Sequence, residues 1–174
     1  MTSAAQQRPR KGPSIDPQHL LLIGAGPGVG GAVARRFAEG GYHVTLLARS
    51  TDGLTKLADA LSDTSAAIDT LTADASDPEG LRASLVSVYA RGGAPGLLVY
   101  NASTLAPDSL LTSDVAHLRE TYDVDVVSAV VAAQVAAPAM RAAGGGTILF
   151  TGGGFADHPL LALPARRPGR RRRR

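Results

Sequence analysis

A run of glycines at residues 24–31 is the segment whose residue types and spacing most clearly predict chemistry. The glycines fit two overlapping patterns, G-x-G-x-x-G and G-x-x-x-G-x-G, directly after the apolar run at residues 20–23. Without a Cβ, backbone N–H groups can approach a pyrophosphate closely, and the N-terminus of a following helix adds free donors and partial positive charge. The segment therefore predicts a dinucleotide-binding loop, with a purely structural turn as the alternative. The residues predicted to contact the cofactor there are Gly24, Gly26, Gly28, Val29 and Gly30.

The residues that follow the second predicted strand indicate which dinucleotide is bound. An NAD site typically has an acidic residue there, which accepts hydrogen bonds from the ribose hydroxyls. This chain instead has Arg49 and Ser50, which can pair with and donate to a 2′-phosphate. Asp52 is close by, but its position predicts the N-cap of the next helix. We therefore expect NADP(H) to be favoured over NAD(H), unless Arg49 is simply a solvated loop cation.

The elements that must position these residues alternate along the chain. Strands are predicted at residues 20–23, 42–48, 66–73, 97–100 and 147–151, and helices at residues 29–38, 52–61, 78–89 and 113–141. Connections of this length allow crossovers, so the strands should be parallel with helices on both faces. The second, fourth and fifth strands lack polar alternation, as expected for strands buried on both sides. The predicted fold class is α/β, a Rossmann-like doubly wound parallel sheet.

Composition removes several other classes of protein. The 174-residue chain has no cysteine, and its four histidines lack metal-ligand spacing, so neither a thiolate site nor a zinc site is expected. The P-loop motif G-x-x-x-x-G-K-[ST] does not occur. The formal net charge of +3 arises from the tails, because seven arginines lie in residues 166–174, so binding of nucleic acid is not expected. The sequence shows no secretory signal, and its apolar stretches are too short to span a bilayer, which predicts a cytoplasmic protein without membrane contact.

Five motifs in the same order give the sequence a resemblance to the short-chain dehydrogenase/reductase family over residues 18–158. The motifs are Gly24-x-x-x-Gly28-x-Gly30, Asp74, Asn101-Ala102-Ser103, residues 122–140 and residues 146–151. They are similar, respectively, to the family's cofactor loop, its aspartate at the adenine end, its Asn-Asn-Ala-Gly segment, its long fifth helix and the strand leading to its catalytic serine. The resemblance therefore adds Asp74, Asn101 and Ala102 to the residues expected to contact the cofactor.

The resemblance implies hydride transfer between a nicotinamide and an alcohol or carbonyl carbon, with the dinucleotide and a small-molecule substrate as partners. In the family a tyrosine acts as general acid/base, a lysine four residues later lowers its pKa, and a serine and an asparagine assist. The corresponding positions in this chain are, in that order, Arg166, Arg170, Gly153 and Asp125, and the hydroxyl nearest to the serine position is that of Thr151. Because Tyr-x-x-x-Lys is absent, the catalytic residues stay unassigned and we expect an oxidoreductase with impaired activity. A non-catalytic dinucleotide-binding module is the alternative.

The two ends of the chain differ in composition from its middle. Residues 1–17 are predicted to form a disordered arm, residues 18–158 the dinucleotide-binding domain, and residues 159–174 a disordered arginine-rich tail. The resemblance implies a sheet that usually has seven strands, so the five predicted strands make the fold incomplete. A frameshift or truncation near residues 158–162 would explain the abrupt change in composition, and a genuine basic tail that binds an anionic partner is the rival hypothesis. Family members are homo-oligomers, and the incomplete fold puts that assembly in doubt for this chain.

Overall fold

The computed structural model describes residues 15–104 and 111–153, which form a layered arrangement of strands and helices. The strands are β1 (Ile15–Ile23), β2 (His43–Ala48), β3 (Ile68–Thr72), β4 (Ala94–Tyr100) and β5 (Thr147–Phe150). The helices are α1 (Val29–Glu39), α2 (Thr51–Ala60), α3 (Pro78–Gly92), α4 (Val115–Tyr122) and α5 (Ser128–Ala142). All strand pairs are parallel, in the order β3-β2-β1-β4-β5, which confirms the predicted Rossmann-like doubly wound sheet. Most of the predicted arm and the whole predicted tail lie outside the described residues.

Helices cover both faces of the sheet because successive strand residues contribute to two separate apolar clusters. Leu20 and Leu22 of β1 pack on the face covered by α1 and α2. Leu21 and Ile23 pack on the face covered by α3 and α5. These four side chains of β1 are fully buried. This part of β1 therefore lacks the alternation of polar and apolar residues that is typical of a strand with one solvent-exposed face.

Two strands begin earlier in the chain than their apolar runs predicted. β1 starts at Ile15 rather than at residue 20, so the last three residues of the predicted disordered arm belong to a strand. β4 starts at Ala94, and the two extensions pair with each other, Ile15 beside Ala94. Gly96 permits this close pairing, since a Cβ at that position would lie 2.6 Å from Pro17 Cα. The extensions contain polar residues, proline and glycine, so a search for apolar runs does not find them.

Side chains that cap the helix N-termini fix where α2 and α3 begin. Asp77 caps α3 as its position in the sequence predicts, because its Oδ1 accepts a hydrogen bond from Gly80 N at 3.0 Å. The cap predicted for α2, Asp52, is wrong. Ser50 takes that role, with its Oγ accepting from Gly53 N at 3.1 Å. Asp52 lies inside the first turn, where a carboxylate is stabilised by the partial positive charge of the helix N-terminus.

The long helix predicted at residues 113–141 contains a π-helical turn at Asp123–Val127, which joins α4 to α5. At this turn the Tyr100 hydroxyl of β4 donates a hydrogen bond to the Val124 carbonyl oxygen. The whole stretch Val115–Ala142 has 28 residues and contains an 18-residue window with a mean hydropathy of 1.4, enough to cross a membrane by length and composition alone. It is longer than the apolar stretch recognised in the sequence, and its buried side packs against β4 and α3.

Candidate functional site

A cleft of about 450 Å³ lies where the carboxyl ends of β1, β2, β3 and β4 meet. The chain changes direction across the sheet here, because β1 is followed by β2 and β3 on one side and by β4 on the other. In open α/β sheets, ligands bind at such a switch point. The predicted cofactor residues that line the cleft are Gly24, Arg49, Asp74, Asn101 and Ala102.

Gly24 and Gly30 pack closely against the end of β4. Gly24 has a φ of +85°, and a Cβ there would lie 2.3 Å from Ala102 N. Gly30, in the first turn of α1, would place a Cβ 2.6 Å from Gly24 O and 3.2 Å from Asn101 Nδ2. These two positions hold the loop and the helix tightly against the end of β4.

Two other loop glycines face open space. A Cβ added at Gly26 or Gly28 would meet no heavy atom within 4 Å. Gly28 is the N-cap of α1, and among the described residues no side chain caps that helix and no acidic residue lies in its first turn. The N–H groups that begin α1 at Val29 are therefore free of a side-chain acceptor, and the helix dipole favours an anion at this end.

The beginning of the loop is attached to β2. Gly24 N and Ala25 N both donate hydrogen bonds to Leu47 O, at 2.9 and 3.0 Å. These two amides are thus used inside the protein, so the donors that remain for an anion belong to the later part of the loop. Gly24 was predicted to contact the cofactor. It lines the cleft, but its N–H donates to Leu47 O of β2.

The two residues predicted to select the cofactor occupy different positions. Arg49 lines the cleft at the end of β2 with an exposed side chain. Ser50 is also exposed, but its Oγ is the acceptor that caps α2. A hydroxyl that accepts a hydrogen bond still has its own hydrogen to donate. The capping role therefore leaves Ser50 able to donate a hydrogen bond to an anion beside Arg49.

Asp74 directly follows Ala73 after β3, two strands from β1, and lines the cleft. Its Oδ1 accepts a hydrogen bond from Ser76 N at 2.9 Å. This local turn fixes the carboxylate of an exposed residue at the edge of the cleft. An acceptor is therefore fixed at the edge of the cleft.

Asn101, directly after β4, connects three segments of the site. Its backbone N donates to Ile23 O at 2.7 Å, and its Nδ2 donates to Gly24 O at 2.9 Å. Its Oδ1 accepts a hydrogen bond from Thr151 Oγ1 at 3.0 Å. The side chain is therefore part of the framework that holds the glycine loop, while the neighbouring Ala102 lines the cleft.

The residues at the family's catalytic positions are only partly brought together. Asp125 lies on the π-helical turn, and its Oδ1 accepts a hydrogen bond from Thr104 N at 2.9 Å, so it holds the segment that follows β4. Thr151 follows β5 and bonds to Asn101. Gly153 is exposed and is the last residue that the structure describes.

Tyr100 directly precedes the cleft residue Asn101, but its environment makes it a poor base. Its side chain is 3% exposed and donates to the Val124 carbonyl oxygen. Burial, followed by the nearby Asp125 carboxylate, raises the pKa of the Tyr100 phenol to about 12. The proton therefore stays on the phenol at neutral pH.

The cleft residues that come from the long helix were not predicted from the sequence. Glu120 and Val124 line the cleft together with Thr104. The four-residue spacing of Glu120 and Val124 puts them on one face of a helix, which was the available signal. Their approach to the cleft depends on how the helix packs, which the spacing alone does not give.

Residues 18–165 match the family model for short chain dehydrogenases. The chain belongs to the short-chain dehydrogenase family. This short-chain dehydrogenase is 31% identical over 129 residues to a (2S)-[(R)-hydroxy(phenyl)methyl]succinyl-CoA dehydrogenase subunit of Thauera aromatica, over 74% of this chain and 51% of the relative. The chain spans about half the length of the curated relatives it matches.

Two solved structures of oxidoreductases with bound cofactor have the same fold. L-Sorbose reductase from Gluconobacter frateurii, in complex with NADPH and L-sorbose, superposes with a TM-score of 0.78 at 30% identity, over 88% of this chain and 58% of that one. An alcohol dehydrogenase from the archaeon Thermococcus sibiricus, in complex with 5-hydroxy-NADP, gives a TM-score of 0.70 at 25% identity, over 79% of this chain and 57% of that one.

Proposed function

We propose that this short-chain dehydrogenase binds a nicotinamide dinucleotide across the carboxyl ends of its strands. The observation that carries the proposal is the first turn of α1, which has no side-chain cap and follows Gly26 and Gly28, where an added Cβ would meet no heavy atom within 4 Å. The pyrophosphate lies at this turn, and the rest of the cofactor extends along the cleft towards Asp74. When bound, such a cofactor donates or accepts a hydride.

The proposed substrate is a small molecule with an alcohol or carbonyl group. Support comes from the similarity to a sorbose reductase and an alcohol dehydrogenase, together with the position of the cleft at the switch point of the sheet. The structural framework for the chemistry in this chain consists of Asn101, Asp125 and Thr151, which hold the segments around the cleft through the hydrogen bonds described above.

The proposed preference is for NADP(H) over NAD(H). Arg49 supplies a guanidinium at the cleft, and Ser50 has a hydroxyl hydrogen beside it, which together suit a 2′-phosphate. Asp52 is not the helix cap. It lies in the first turn of α2 and is the first acidic residue after β2, so it is the carboxylate of this segment that a ribose hydroxyl would use. The cofactor preference therefore depends on the balance between Arg49 and Asp52.

Hydride transfer in this chain is proposed to be impaired. The sequence has two lysines, Lys11 and Lys56, and neither follows a tyrosine by four residues. Lys56 lies on α2, on an exposed position that is not part of the cleft lining. Tyr100 keeps its proton at neutral pH, so it does not replace the family's general acid/base pair.

Two titrations test the proposed function. NADPH and NADH are added to the full chain, and binding is followed by calorimetry. We expect saturable binding of one dinucleotide per chain, with NADPH the tighter. Arg49→Ala should reduce this preference about tenfold, the loss expected for one charge-assisted pair, and Asp52→Asn should increase it.

Turnover is then measured with NADPH and a panel of ketones and aldehydes. Saturable binding with very slow turnover supports the impaired enzyme or a non-catalytic module. Rapid turnover would refute the proposed impairment but not the binding. Failure to bind either dinucleotide would refute the proposed function itself.

A further inference from the structure

The side chain of Asn101 uses both ends of its amide to connect β5 with the glycine loop. Its Nδ2 donates to Gly24 O at 2.9 Å, and its Oδ1 accepts from Thr151 Oγ1 at 3.0 Å. The other acceptor near the threonine hydroxyl, Tyr100 O, is farther away at 3.4 Å. Thr151 lies two strands away from the glycine loop, because β4 separates β5 from β1.

Only one orientation of the Asn101 amide satisfies both neighbours. A flipped amide would place Oδ1 against Gly24 O, which is also an acceptor, so the flip would lose this hydrogen bond. With Nδ2 on Gly24 O, the oxygen Oδ1 points to Thr151, whose hydroxyl supplies the hydrogen. The Gly24 carbonyl and the Thr151 hydroxyl together fix one orientation of the Asn101 amide.

The Gly24 carbonyl is also in contact with the start of α1. A Cβ at Gly30 would lie 2.6 Å from Gly24 O and 3.2 Å from Asn101 Nδ2, so these groups pack closely around one point. A shift of the Asn101 amide therefore moves the surface on which the first turn of α1 rests. That turn carries the N–H groups assigned to the pyrophosphate.

We propose that Thr151 is a positioning residue that holds the glycine loop for the cofactor through Asn101, and that its hydroxyl is not a substrate contact. The proposal rests on the proposed function, since it assigns the loop to a dinucleotide. It gives a role to the hydroxyl that sequence analysis named only as nearest to the serine position. It also predicts that changes at the end of β5 alter the binding of phosphates at the other side of β4.

The test compares three variants of the full chain. Thr151→Val removes the hydroxyl and keeps the shape, whereas Thr151→Ser keeps the hydroxyl. Thr147→Val makes the same exchange at the exposed first residue of β5, away from Asn101, and serves as the matched control. The dissociation constant for NADPH is measured for each, together with the hydrogen exchange rate of the Asn101 side-chain amide by NMR in the cofactor-free protein.

We expect Thr151→Val to weaken NADPH binding about fivefold, the effect of one lost hydrogen bond, and to speed the exchange of the Asn101 amide severalfold. Thr151→Ser and Thr147→Val should match the wild type in both measurements. The proposal is overturned if Thr151→Val matches the wild type in either measurement, or if Thr151→Ser is changed as much as Thr151→Val. If Thr151→Val does not fold, Thr151→Ala, which adds no atoms, takes its place.

The two measurements separate this proposal from the proposed function. If the wild type does not bind NADPH, the proposed function fails. The amide exchange of Asn101 then still decides whether Thr151 holds the asparagine. If NADPH binds and the exchange rate is unchanged in Thr151→Val, only the positioning role fails.

Discussion

Replacing Gly30 by alanine tests whether the loop glycines divide into packed and open positions. The new Cβ would lie 2.6 Å from Gly24 O and 3.3 Å from Ala25 Cα, and both are backbone atoms that cannot rotate away. Overpacking of this kind costs about 1–3 kcal/mol, while alanine regains up to about 1 kcal/mol of helix propensity. The net expected loss is about 1–2 kcal/mol, which lowers the Tm of a chain of this size by roughly 2–8 °C.

The assay is thermal unfolding followed by circular dichroism, with two glycine controls. Gly26→Ala adds a Cβ with no atom within 4 Å, so we expect its Tm to stay close to that of the wild type. Gly53→Ala lies in α2, where a Cβ would meet only Ser50 at the ordinary distance of 3.4 Å. It reports the gain in helix propensity alone. A Gly30→Ala protein that melts at or above the wild-type temperature would refute the close packing of Gly30 against Gly24.

Two further predictions concern polar groups in the interior of the sheet. Burial, and then the stacked His43 ring 4.3 Å away, lowers the pKa of His19 below its usual 6.5. The unfolded chain therefore binds that proton more readily, and stability is lost as the pH falls from 6.5 through the lower folded pKa. His19→Gln should flatten the dependence of Tm on pH in this window, and an unchanged slope would contradict the account. Tyr100→Phe removes the hydrogen bond to the Val124 carbonyl and should cost about 1 kcal/mol in urea unfolding, whereas Tyr122→Phe, at an exposed position, should cost nothing measurable; equal costs would argue against the role of Tyr100.

The fold and the position of the glycine loop follow from local features of the sequence. Apolar runs separated by helix-like segments predict a parallel sheet, and a glycine pattern directly after the first strand places the loop at its carboxyl end. The cap of α3 was also predictable, because Asp77 stands directly before the helix. At α2 both Ser50 and Asp52 are good caps by residue type, and only the backbone conformation of Ser50 decides between them.

The contacts that complete the site depend on packing between distant segments. The hydrogen bond from Tyr100 to Val124 joins β4 to the π-helical turn, and no short-range pattern encodes it. The bond from Thr151 to Asn101 joins residues 50 positions apart. Sequence comparison with the family directs attention to Thr151 as a hydroxyl near a catalytic position, whereas the structure shows which atom the hydroxyl contacts.

The most direct test of the central claim is NADPH binding to the wild type and to Gly26→Asp, measured by calorimetry. The aspartate adds a negative charge beside the first turn of α1, where the pyrophosphate is assigned, and its Cβ would meet no heavy atom within 4 Å. Repulsion of about 2 kcal/mol corresponds to roughly thirtyfold weaker binding. Ala83→Asp adds the same charge on an exposed position of α3 and serves as the control. The account predicts saturable binding to the wild type and Ala83→Asp and strongly weakened binding to Gly26→Asp. Equal affinities of Gly26→Asp and the wild type would contradict the placement of the cofactor at the glycine loop.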